Sequence, residues 1–162
     1  MMEEMQRIRP ILQDREFLAL LKEIEYLERD RIYCRHGLPH LLDTARIAAI
    51  LAADRKADCP RDVIYAAALL HDIGRAAQYQ QNVPHAQAGA EIAARILQRT
   101  EFTQDEQAEI LTAIGGHQSD AAENSLTQLI HEADHRCRMC FACAAQDTCK
   151  WTMEERNRTV WL

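Results

Sequence analysis

The sequence has no excess of basic residues, no long apolar run, no period-two alternation, no internal repeat and no low-complexity stretch. Each absence excludes something. A formal charge of −6 argues against a protein that grips duplex nucleic acid, since affinity for phosphate backbones comes from neutralising them with a basic face. A small anionic ligand stays open, because a local cluster of metal ions and arginines outweighs the net charge. No stretch approaches the roughly 20 apolar residues of a membrane-spanning helix. The opening MMEEMQRIRP is acidic where a secretory signal is basic and then apolar. These absences predict a cytoplasmic protein with no membrane partner, built without β-sheet and without a boundary between domains.

What is present suits one folded unit. Over 162 residues the chain is 48% hydrophobic and 27% charged, the balance of a globular protein. A chain of this length buries roughly 70% of its unfolded surface, enough for a single core. Periodicity reads as all-α throughout. Asp14 is a good N-cap for Phe17, Leu18, Leu21, Ile24 and Leu27 at helical spacing. Pro39, Pro60 and Pro84 each suit the first turn of a further helix. Thr103 and Glu106 have capping-box spacing before Ile110, Leu111 and Ile114, with Gly115-Gly116 as the stop. Leu126, Leu129, Ile130 and Ala133 mark another helix, and Thr152 with Glu155 predicts a last short one. The expected architecture is a helical bundle.

One dipeptide stands out against this background. His71-Asp72 closes the apolar run IYAAALL and opens a glycine-containing turn, HDIGR, so a buried helix delivers an imidazole and a carboxylate at its end. His40 lies in the first turn of the preceding helix, on the face shared with Thr44 and Ile47. His85 opens the helix after Pro84, His117 follows the glycine pair, and Asp134 stands four residues after Ile130 on the inward face of its helix. Imidazole and carboxylate together are ligands for Mn, Fe, Zn or Ni, and two carboxylates with four imidazoles suffice for two ions. Any one of these histidines alone is more often a hydrogen-bonded, partly buried residue, and Asp134 alone reads as a surface salt bridge with Arg138. Their joint order favours the metal site.

The segments that carry this order are His40-Leu-Leu-Asp-Thr-Ala-Arg-Ile-Ala, Ala67-Ala-Leu-Leu-His71-Asp72-Ile-Gly-Arg75, His85-Ala-Gln-Ala-Gly-Ala and Leu129-Ile-His-Glu-Ala-Asp134. They resemble the successive motifs of the HD-domain metal-dependent phosphohydrolase superfamily, over about residues 30–138. The resemblance implies that His40, His71, Asp72 and Asp134 bind one divalent metal. It also implies that His85 and His117 complete a second site, with Asp72 bridging, as in the subgroup that includes hydrolases of diadenosine polyphosphates. The identity of the metal, among Fe, Mn, Ni, Zn and Mg, stays open. The implied reaction is hydrolysis of a nucleotide or another small phosphate ester or anhydride by a metal-activated water, with Asp72 organising the reacting groups and Arg75 on the phosphate. Two other classes share the ligand set: a di-iron oxygenase, and an HD module that binds a nucleotide without turnover.

Three histidines and the cysteines fall outside this set. His36 precedes His40 by one turn and reads as an alternative ligand, a proton donor to the leaving group or, the favoured reading, a polar residue at the pocket mouth; His131 and His135 bracket Asp134 and are assigned to the surface. Four of the six cysteines lie in Cys137-x2-Cys140-x2-Cys143-x5-Cys149, followed by Trp151. The segment resembles the C-terminal extension of a bacterial branch of HD-domain proteins, about residues 137–162 here, in which Cys140, Cys143, Cys149 and Trp151 match and Cys137 does not. Small residues in a buried loop and a separate structural metal or redox site at Cys140, Cys143 and Cys149 are the two readings left open. Either way the thiols are expected to lie apart from the His/Asp site.

Overall fold

Asp14 sets the start of the bundle, because its carboxylate accepts from the backbone N–H of Phe17 at 3.0 Å and so caps a helix whose first donors have no other partner. The computed structural model describes residues 5–116, 123 and 125–161. A one-turn 3₁₀ element leads into α1 (Arg9–Gln13), and α2 (Arg15–Leu27) follows the cap. Then come α3 (Leu38–Asp54), α4 (Arg61–Leu70), α5 (Arg75–Gln81), α6 (His85–Leu97), α7 (Gln104–Gly115) and α8 (Leu126–Arg136). Among the described residues there is no strand, and no helix is long and apolar enough to cross a membrane. The proline starts occur as expected: Pro39 lies in the first turn of α3, while Pro60 and Pro84 are the N-cap residues of α4 and α6.

The centre of the molecule is α4. Val63, Ile64 and every residue from Ala66 to Leu70 are buried, so the helix is enclosed on nearly all sides, as an apolar-all-round sequence requires. Its alanines keep the backbone thin enough for α3, α7 and α8 to pack directly against it. The Thr103/Glu106 capping box that starts α7 forms with both of its reciprocal bonds, and Ser125 caps α8 by accepting from the backbone N–H of Gln128.

One element is present that was not expected, and one expected element is absent. The turn at HDIGR forms, and between it and Pro84 lies a short helix, α5, with Gly74 as its N-cap residue and Asn82 after it in the left-handed region (φ 57°). The predicted helix after Thr152 does not form. Thr152 and Glu155 do exchange their backbone and side-chain bonds, but the chain makes only a turn, because Asn157 is drawn inward. Buried at 4% exposure, its amide donates to the carbonyls of His135 and Arg138, both at 2.8 Å. Those carbonyls lie at the end of α8, where no further helical turn would satisfy them. Capping α8 thus outweighs continuing a marginal helix.

Candidate metal centre

The end of α4 builds the site. His71 is the C-cap residue, and its Nδ1–H donates to the carbonyl of Ala68 at 2.7 Å, which fixes the ring so that Nε2 offers a lone pair to the site once its proton is displaced. That Nε2 is buried and has no hydrogen-bond partner. It lies 3.0 Å from Asp72 Oδ2 without the alignment of a hydrogen bond. The first turn of α3 brings His40 Nε2 to 3.2 Å from the same oxygen. From α8, Asp134 places Oδ1 3.2 Å from His40 Nε2 and 3.9 Å from His71 Nε2. One donor atom from each of His40, His71, Asp72 and Asp134 lies within 4.8 Å of all the others.

These residues fit a divalent cation. A buried polar atom left without a partner costs about 1–3 kcal/mol, and His71 Nε2 is such an atom, with two carboxylates beside it. Burial would push His40 down, yet Asp134, Asp72 and Cys137 outweigh it and raise the imidazole to about 9. His71 is raised well above the ordinary histidine range against the same burial, by Asp72 and Asp134. Burial would raise Asp72 and Asp134, but the neighbouring imidazoles hold both carboxyls well below the usual range. The cluster therefore attracts positive charge, and a metal bound there would compete with the protons on its imidazoles.

Around this set the sequence reading meets mixed outcomes. His85 Nε2 lies 3.9 Å from Asp72 Oδ1, on the carboxylate oxygen opposite the one that faces His40 and His71; burial, then Arg75, lower it toward the neutral form that ligates metal. His117 lies outside the described residues. Arg75 Nε donates to Asp72 Oδ1 at 2.8 Å, so its first contact is with the central carboxylate. His131 is exposed as expected, whereas His135 is half-buried and stacks on Trp151 with ring centroids 4.6 Å apart. Arg138 is not a surface partner: its side chain is only 10% exposed, and its Nη2 lies 3.1 Å from both His40 Nε2 and Asp134 Oδ1. The cysteines are not wholly apart from the centre either, since Cys137 Sγ lies 3.3 Å from His40 Nδ1 and donates to the Asp134 carbonyl at 3.1 Å.

His36 is also corrected, from pocket mouth to interior. It is 4% exposed, and its Nδ1–H donates to Glu28 Oε1 at 2.5 Å while its backbone N–H donates to Oε2 at 2.8 Å. Tyr79, on the unforeseen α5, donates its hydroxyl to Glu28 Oε1 at 2.6 Å. Glu28 is a residue the sequence does not flag, because a glutamate after the last turn of an amphipathic helix looks solvated. Burial would raise its carboxyl, but His36 and Tyr79 hold it down at about 2 against an ordinary 4.5. His36 is lowered by burial, consistent with a neutral imidazole donating to an ionised carboxylate. Both shifts have one sign: stability is present at neutral pH, starts to fall below about 6.5 through His36, and falls further between 4.5 and about 2 through Glu28. The Glu28 part amounts to about 3 kcal/mol. Urea midpoints should therefore drop less between neutral pH and about pH 3 in Glu28→Gln than in the wild type; equal drops would show that Glu28 carries none of the acid sensitivity.

A family model, the HD domain, matches residues 37–139, which is more than half of the chain and includes His40, the HD pair and Asp134. The chain belongs to the HD domain family. An uncharacterized protein of Clostridium beijerinckii is 36% identical over 157 residues, covering 97% of this chain and 99% of that one. Ribonuclease Y of Salinispora arenicola is 30% identical over 122 residues, 75% of this chain but 18% of that enzyme. The crystal structure of a predicted HD superfamily hydrolase from an uncultured Thermotogales bacterium is similar with a TM-score of 0.60 and 26% identity, covering 90% of this chain and 84% of that one. The all-α fold is thus an HD-superfamily fold. The HD model ends at Met139, so the cysteine-rich tail lies beyond it, whereas the Clostridium relative aligns with nearly the whole chain.

Proposed function

We propose that this HD-domain protein is a metal-dependent phosphohydrolase acting on a nucleotide or another small phosphate ester or anhydride. The observation that carries the reading is the buried, unpartnered His71 Nε2, set beside the carboxylates of Asp72 and Asp134 and next to His40. A divalent ion held there supplies Lewis acidity, lowering the pKa of water and offsetting charge on phosphoryl oxygens. The chain's own residues do the rest. Ala68 O and Cys137 orient the two imidazoles from behind, in the way outer contacts keep ligands in place. Asp72 turns one oxygen to His40 and His71 and the other to Arg75 and His85, so it would be shared between two ions if His85 and His117 hold a second one, as the resemblance implies. Arg75 and Arg138 bring fixed positive charge to the edge of the cluster, which phosphoryl transfer needs.

Size agrees with a small substrate. A cavity of about 630 Å³, lined by Arg35, His40 and Arg138 among others, is in the range of small-molecule sites. The test is metal analysis of protein purified without oxygen, followed by a screen of nucleotides and phosphate esters with Fe, Mn, Ni, Zn or Mg. The expected result is phosphate or nucleotide release that needs added metal and stops with a chelator. Consumption of dioxygen without phosphate release would establish the oxygenase reading instead, and tight nucleotide binding without turnover the non-catalytic one.

A further inference from the structure

Residues 139–161 form a long segment without regular helix; two isolated 3₁₀ turns, Cys140–Ala142 and Gln146–Thr148, are its only helical elements. Its buried residues are Cys140, Ala145 and Asn157. Two small apolar side chains cannot offset the conformational entropy of ordering more than 20 residues, at about 1–2 kcal/mol each. Structureless segments of this length within a folded domain are uncommon and call for a staple. The tail nevertheless has a defined place, against the loop between α2 and α3. Tyr33 OH lies 3.1 Å from Thr148 Oγ1, and Arg138 Nη1 donates to the carbonyl of Arg35 at 2.9 Å. These contacts flank Cys34 on both sides and hold it beside the tail.

Cys34, Cys140, Cys143 and Cys149 are all free thiols and all line the same cavity. The first 3₁₀ turn, closed by Cys143 N–H on Cys140 O at 3.2 Å, brings two of them together at i and i+3. The backbone N–H of Ala145 donates to Cys143 Sγ at 3.4 Å. The other two cysteines are elsewhere. Cys137 is engaged with His40 and the Asp134 carbonyl, and Cys59 lies between α3 and α4, pushed up to about 11 by burial and the acidic groups of Glu109, Asp58 and Asp62.

We propose that Cys34, Cys140, Cys143 and Cys149 form a four-thiolate structural site for one thiophilic divalent cation of the zinc class, which staples the tail to the α2–α3 loop. Binding draws the four sulfurs together as each ligating thiol gives up its proton. Four thiolates leave no open position for substrate, so the site is structural. Its position is informative, because the stapled segment forms a wall of the cavity that reaches His40.

Cobalt(II) titration of the reduced, metal-stripped full chain tests this. One equivalent should give the sulfur-to-cobalt charge-transfer band of a tetrahedral thiolate site, and the band should persist in Asp134→Ala and Cys59→Ser. Its intensity should fall by about a quarter in Cys34→Ser, since one of four sulfur ligands is lost. A second measurement needs no variant: one equivalent of zinc should protect Cys34, Cys140, Cys143 and Cys149 from alkylation, leaving Cys59 labelling unchanged. Absence of a thiolate band, an undiminished band in folded Cys34→Ser, equal labelling with and without zinc, or iron recovered with acid-labile sulfide would each overturn the single-ion site.

Discussion

Asp72→Ala is expected to remove bound metal from the His/Asp centre and to lower metal-dependent hydrolysis by at least about 10³-fold, the upper end of what a single electrostatic group contributes. The carboxylate is 1% exposed and stands between four nitrogens: His40 and His71 on Oδ2, Arg75 and His85 on Oδ1. Among the described residues no other carboxylate stands between all of these, and a water filling the space would carry no charge to replace it. Stability should fall as well. Removing one partner from a buried charged cluster costs about 3–5 kcal/mol, because Arg75 and the two imidazoles lose the charge that offsets their burial. Asp72→Asn, which keeps the volume and one acceptor oxygen, separates the effects: it should recover much of the stability and little of the activity. Metal content, thermal midpoint and turnover measured on both variants decide the matter. Stoichiometric metal and near-normal turnover in folded Asp72→Ala would show that the centre is not organised around this residue.

The parts of this picture that were legible in the sequence are those with a local signal. Asp14, the Thr103/Glu106 box, Pro39, Pro60 and Pro84 act within one turn of their own position, and each helix start they predict is present. Four residues of the candidate site were legible for a different reason: His40 and Asp134 stand on inward helical faces, His71 and Asp72 follow the end of the buried α4, and their order in the chain resembles the HD motifs. What was hidden depends on contacts far apart in sequence. The short helix α5 reads RAAQYQQ, with only Ala76 buried, and has no apolar stripe to betray it. Glu28 is unremarkable until the α2–α3 loop and α5 bring His36 and Tyr79 onto it. Arg138 resembles an ordinary i,i+4 partner of Asp134 until the fold covers it with the α2–α3 loop. Cys34, alone near the N-terminus, becomes a neighbour of the tail only through three-dimensional packing.

Gly74→Ala is expected to be the most damaging change that touches no charged group. At φ −80° and ψ 0° its backbone is open to any residue, so conformational freedom is not why a glycine is there. Close approach is. A Cβ at this position would sit 2.5 Å from Gly89 N and 3.0 Å from Gly89 Cα, and would run into the carbonyl oxygen of His85. All three are backbone atoms of α6, which cannot turn aside as a side chain can. The first turn of α6 would have to move away from the HD turn, taking with it the His85 imidazole that now lies 3.9 Å from Asp72 Oδ1. Overpacking that must be absorbed by backbone falls at or above the upper end of the usual cost, about 3 kcal/mol, equivalent to a fall in Tm of roughly 10 °C for a chain of this size. Gly89→Ala is the control. Its Cβ would meet one tight neighbour, Ile114 Cγ2 at 3.3 Å, which a side-chain adjustment relieves, while Gly74 N at 3.5 Å is in ordinary contact, and alanine within a helix recovers up to about 1 kcal/mol relative to glycine. Thermal melts of the two variants should differ by several degrees, and the Gly74 variant should lose occupancy at the His85 side of the centre before the His40 side. Equal melts would mean that α6 yields without cost, and that the tight seat of the HD turn on this helix is not what positions His85.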